Sequence, residues 1–115
     1  MIYIASPYTH PEPAVRNARY VAAQAYTHEL LEQAIPCFSP IVYGHQFHLG
    51  YGAPQEMDYW QKINEHMLKH STAVHMLLLP GWEDSAGCRY ELALASHLHL
   101  DILYVVRPYF EVAGE

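Results

Sequence analysis

Basic residues are scarce in this chain. Six Lys and Arg stand against twelve Asp and Glu, a formal charge of −6 over 115 residues. Long DNA or RNA is held largely by Lys and Arg neutralising phosphate, so a nucleic-acid polymer is excluded as a partner. One small anion stays within reach, because a helix N-terminus grips phosphate with backbone N–H groups and needs no net charge. No apolar run approaches the roughly 20 residues that span a bilayer, so no membrane partner is expected. The first apolar stretch, Ile2-Tyr3-Ile4-Ala5, has no basic segment before it, and no secretory signal is expected. The two cysteines, Cys37 and Cys88, are too few for a disulfide framework and fit a reducing cytoplasm. Charged residues make up only 16% of the chain and hydrophobic ones 51%, which excludes disorder. The length suffices for one core and not two. A single cytoplasmic domain over residues 1–115 is the expectation.

The chain carries no internal repeat, low-complexity tract or linker. Met1–Ala5 reads as a buried strand ended by Ser6-Pro7. Residues 13–34 repeat apolar side chains at intervals of three and four, which predicts a helix with Pro13 in its first turn. Residues 35–42 resemble a second strand, held short or at an edge by Pro36 and Pro40. Residues 43–56, with three Gly, one Pro and two His, read as a long loop. A helix over 57–70 follows, with Trp60, Ile63 and Met67 on one side, Trp60 being expected in the core. Residues 73–79 form an apolar strand stopped by Pro80-Gly81. Residues 85–100 form a helix apolar over most of its circumference, as if sandwiched, and 102–106 the last strand.

Strands alternating with helices, and too apolar to have a wet face, predict an α/β fold. It is a small doubly wound, Rossmann-like or flavodoxin-like parallel sheet of four to five strands, ordered 2-1-3-4, with helices on both faces. Ligands of such sheets sit beyond the carboxyl ends of the strands where the winding reverses. That point lies between strands 1 and 3, so Ala5-Ser6-Pro7-Tyr8-Thr9 must face Pro80-Gly81-Trp82-Glu83-Asp84-Ser85.

The sharpest chemical pattern opens the third helix. Asp84 or Ser85 can cap it, leaving the N–H groups of Ala86, Gly87 and Cys88 for an anion such as phosphate. Gly87 has no side chain to keep a ligand away. Glu91 follows one turn later, and helical side chains lean toward the N-terminus, so its carboxylate hangs over the gap at Gly87. Ser85 and Glu91 are about 9 Å apart along the axis, near the phosphate-to-anomeric-carbon span of a nucleotide. The plainer alternative is a capped helix with Glu91 on a solvated face. Against it, Glu91 is flanked by Tyr90, Leu92, Ala93, Leu94 and Ala95, and a lone carboxylate in so apolar a stretch needs a partner.

Ser85-x-Gly87-x-x-Tyr90-Glu91, followed by Leu92 and Ala95, resembles the S-x-G-x-x-Y-E-L-G-x-A block of nucleoside 5'-monophosphate N-glycosidases, of the nucleoside 2-deoxyribosyltransferase superfamily. Ile2-Tyr3-Ile4-Ala5-Ser6-Pro7-Tyr8 is similar to that superfamily's first strand and nucleoside-binding loop. Pro80-Gly81-Trp82 and Asp84-Ser85-x-Gly87 also resemble an uncharacterised bacterial and phage branch of it. The resemblance implies a retaining cleavage of an N-glycosidic bond, in which Glu91 attacks the anomeric carbon and water or a second base completes the cycle. It also implies Ser85 and Gly87 around a phosphate and Tyr8 against the sugar or the catalytic carboxylate. Ser6, Pro7, Gly81, Trp82, Asp84 and Ala86 are the further expected substrate contacts. The superfamily's usual aspartate on the helix before strand 3, which assists the leaving base, falls by counting on Asn64. An amide donates a hydrogen bond but supplies no proton at neutral pH. Asp58, Asp84 or a neighbouring subunit would then have to replace it, or the chain binds nucleotides as a sensor without efficient turnover.

Nine histidines raise the question of a metal. Only His66 and His70 have a helical spacing suited to one, and without a Glu between them surface roles are the simpler reading. No metal and no cofactor is expected. His45 and His48 sit in the predicted loop near the site. Arg16 and Arg19 read as surface charges that could reach a phosphate, and Cys88 as packing rather than a thiolate nucleophile. A nucleoside or nucleotide is the expected partner, with a homodimer or higher homo-oligomer as the assembly.

Overall fold

The computed structural model describes residues 1–112; residues 113–115 of the expected domain lie outside the described residues. Four parallel strands, β1 (Ile2–Ala5), β2 (Cys37–Phe38), β3 (Ala73–Leu77) and β4 (Asp101–Val105), form one sheet in the order β2-β1-β3-β4. Four helices connect them: α1 (Pro13–Glu32), α2 (Pro40–Tyr51), α3 (Met57–Lys69) and α4 (Ala86–His97), with short 3-10 turns at Trp82–Asp84 and Pro108–Val112. The expected class and strand order are therefore present.

Alternation along the strands divides the core into two layers. Ile4, Leu77, Leu79 and Val105 meet Ala22, Ala23, Tyr26 and Leu30 of α1 and Phe110. Tyr3, Ala5, Val74 and Met76 meet Leu68 of α3 with Cys88 and Ala95 of α4. In register, Tyr3 pairs with Val74 and Ala5 with Met76, so the carboxyl ends of β1 and β3 lie side by side.

Four expectations are corrected. The second strand shrinks to two residues, and the predicted loop over 43–56 is helical as far as Tyr51, leaving 52–56 as the connection. Ser39 caps α2 by accepting a hydrogen bond from the Val42 amide, Pro40 occupies its first turn, and Gly52 ends it at φ 67°. These are ordinary helix-boundary residues, and they outweigh the glycines inside. The third helix is not sandwiched: only Cys88, Glu91 and Ala95 of α4 are buried, a single face turned to the sheet. Trp60 belongs to neither core layer. It lies beside Gly44 and donates its indole N–H to the Pro54 carbonyl at 2.8 Å. Among the described residues no helix is long and apolar enough to cross a membrane.

Candidate functional site

Beyond the β1 and β3 carboxyl ends lies a cavity of about 680 Å³, a size suited to a small organic ligand. Its floor and rim come from the β1–α1 loop, α2, the 52–56 connection, α3 and the start of α4.

The two facing loops are stitched together by Arg19. Its Nη1 donates to the carbonyl oxygens of Thr9 at 3.1 Å and Tyr8 at 3.5 Å, and its Nη2 to that of Pro80 at 3.2 Å. Arg19 is buried, and burial lowers its pKa from the ordinary arginine value. Gly81 fits against it at φ 89°; a Cβ there would stand 2.7 Å from Nη2. The positive φ favours glycine at that point, and a Cβ would in addition push the Nη2 end of Arg19 away from Pro80.

Ser85 is the N-cap of α4, accepting from the Cys88 amide at 3.2 Å. A Cβ on Gly87 would meet only the Ser85 Oγ, at 3.9 Å, so the helix presents bare backbone to the cavity. Glu91 is 7% exposed and lines the same space. It occupies the position of α4 between Cys88 and Ala95, the face turned to β1, where the hydroxyl of Tyr3 donates to its Oε2. Burial pushes the Glu91 carboxyl up to about 7, and the Tyr3 hydrogen bond works against that rise. Tyr3 is itself held well above its ordinary value, by burial first and then by Glu91, so it remains a donor. Burial likewise raises the Cys88 thiol to about 12, which removes a thiolate from consideration at neutral pH.

Tyr8 lines the cavity, but its hydroxyl shares a 2.6 Å hydrogen bond with His45 Nδ1; the carboxylate's partner is Tyr3. His45 is 5% exposed and stacks on Tyr20 with ring centroids 4.1 Å apart. Burial lowers its pKa, with His48 and Arg16 adding to the effect, so the imidazole is neutral at neutral pH. On α3, Asn64 lines the cavity as expected, and so does Glu65 beside it. Glu65 Oε1 accepts from the Tyr90 hydroxyl and from Gln61 Nε2, the latter at 3.0 Å.

Of the residues expected at the site, Ser6, Tyr8, Asn64, Gly81, Asp84, Ser85, Ala86, Gly87 and Glu91 line this cavity, as does Asp58. Pro7 and Trp82 are not among its lining residues. Pro7 is fully buried, and Trp82 packs on the α3/α4 core layer with its ring 6.0 Å from that of Tyr104. Tyr3 and Glu65 were not expected at the site and Arg19 was expected at the surface, whereas His45 was expected in a loop near the site and Tyr90 as part of the block around Glu91. Tyr3, Arg19 and His45 are buried, and their apolar or helical neighbours signal that without naming a partner. Among the described residues no group of three or more His, Cys, Asp and Glu side chains is placed to hold a metal ion.

The chain belongs to the DUF1937 family, a domain of unknown function, whose profile matches residues 1–106. Among curated proteins none matches its sequence.

Proposed function

We propose that this chain cleaves the N-glycosidic bond of a nucleoside or nucleoside 5'-monophosphate, with Glu91 as nucleophile, in the manner of the nucleoside 2-deoxyribosyltransferase superfamily that its sequence resembles. The observation that carries the reading is a buried carboxylate in a ligand-sized cavity, gripped by a tyrosine from the neighbouring strand. A carboxylate with a pKa near 7 is partly ionised at neutral pH, poorly solvated, and aimed where a positive centre would be stabilised.

In the reaction, a Glu91 oxygen bonds to the anomeric carbon as the bond from that carbon to the base breaks. The base leaves with the bonding electron pair and takes a proton. Glu65, one residue from the expected position, is the candidate acid, so Asn64 need not supply a proton. Glu65 in its carboxylate form then draws a proton from water, which attacks the sugar ester and frees Glu91. A second base in place of water gives a transferase. Tyr3 acts as a positioning residue, holding one carboxylate oxygen and favouring the ionised form. The neutral Tyr8–His45 pair offers a hydrogen-bonding wall for the sugar or base. An oligomer belongs to the same reading, supported by the exposed apolar side chains Leu103, Tyr104 and Val106 at and just beyond β4.

A panel of nucleosides and their 5'-monophosphates, followed by chromatography for free base, tests the proposal. Base release is expected from at least one member, with kcat/KM rising with pH through about 7 as Glu91 ionises. Glu91→Gln should lower the rate by at least ~10³-fold while the ligand still binds. Ligand binding with no base released would favour a sensing module, and an unaffected Glu91→Gln would remove Glu91 from the mechanism.

A further inference from the structure

We propose that Asp84, backed by Glu83, is a specificity determinant that excludes a 5'-phosphate, so that the site selects an uncharged nucleoside over its monophosphate. This rests on the nucleoside reading above and narrows it. Glu56, Asp58, Glu65, Asp84 and Glu91 all line the cavity, against one arginine or lysine among the described lining residues, Arg19. That guanidinium is already committed: three backbone carbonyl oxygens take its Nη groups, and its Nε, though without a partner, is sealed from solvent. An incoming phosphate would find no accessible cation there.

The start of α4 points the same way. The Cys88 amide is taken by Ser85 Oγ, which leaves Ala86 and Gly87 as the residues of that first turn that line the cavity. Two carboxylates, Glu83 and Asp84, lie in the 3-10 turn directly before the cap. Acids at that place satisfy the helix dipole from within the chain, and a dianionic phosphate would have to approach against them. The cavity does offer an uncharged polar group. Ser6 lines it and is 4% exposed, and its Oγ has no hydrogen-bond partner. A buried hydroxyl of that kind is satisfied by a sugar hydroxyl or a base edge and requires no charge.

Matched pairs, 2'-deoxyadenosine with its 5'-monophosphate and the corresponding guanine, cytosine and thymine pairs, give the test. Base release and equilibrium dialysis are measured on the same samples at low and high salt. The nucleoside is expected to lead in kcat/KM and in affinity by at least ~10-fold, the gap narrowing as salt screens the carboxylates. Asp84→Asn should shift the ratio toward the monophosphate by about 10-fold, and Asp84→Glu should leave it near the wild-type value. A monophosphate bound or cleaved as well as its nucleoside overturns the specificity proposal and leaves the cleavage reading standing. Nucleosides bound in preference but never cleaved overturn cleavage and keep the specificity. Binding of neither member of any pair overturns both.

Discussion

Glu91 is a residue whose location costs the fold something. Its carboxyl is raised from an ordinary 4.5 to about 7 by burial. Below pH 4.5 the folded and unfolded chains both hold the proton, and nothing is lost. Between pH 4.5 and 7 the unfolded chain releases a proton that the folded chain keeps, so stability falls with rising pH, by roughly 3 kcal/mol in all, and is level above 7. Glu91→Gln escapes this loss. Urea unfolding should find the variant more stable than wild type at pH 8 by up to roughly 3 kcal/mol, with the difference gone near pH 4. A constant difference across that range would show that Glu91 is not held in the neutral form. The need for a partner was legible from the apolar neighbours of Glu91 in sequence. The partner was not, because Tyr3 lies 88 positions away and reads locally as one more strand residue.

At the scale of elements, α2 is where local reading failed. Glycine content and the two prolines suggested a short strand and a loop, whereas the boundary residues Ser39, Pro40 and Gly52 had the helix punctuation all along. The consequence is functional, since α2 brings His45 to Tyr8. Removing the cap with Ser39→Ala should lower unfolding free energy by about 1 kcal/mol in urea titration. An unchanged midpoint would mean that α2 is held by its packing against α1 and Trp60 and not by its cap. The start of α4 was read more successfully: a Ser cap, bare backbone at Gly87, and an acid one turn on are all local features. Its burial pattern was not, because apolar residues around a helix do not say how many sides are covered.

For the whole molecule, the parallel order places two loop clusters at one crevice, and Arg19 locks them. The same order leaves β4 at an edge, where Leu103 is 55% exposed, Tyr104 52% and, just past the strand, Val106 67%. An exposed apolar edge is a surface that another chain can cover. Sedimentation equilibrium is expected to give a mass of at least twice the 13.2 kDa chain, and Leu103→Lys to reduce it. A monomer at high micromolar concentration would remove the oligomer from the proposal without touching the cavity.

The amino-acid sequence by itself determined the α/β class, the strand order, the crevice between strands 1 and 3, and the register of Glu91 against Gly87. All of these follow from periodicity, from handed crossovers, or from spacing within one helix. The tertiary structure alone decided which groups meet Glu91, that Glu65 enters the cavity beside Asn64, and that Arg19 serves the backbone instead of the surface. A side chain's own periodicity fixes the face it occupies. What lies across from that face depends on how separate elements pack, and packing is a property of the assembled chain.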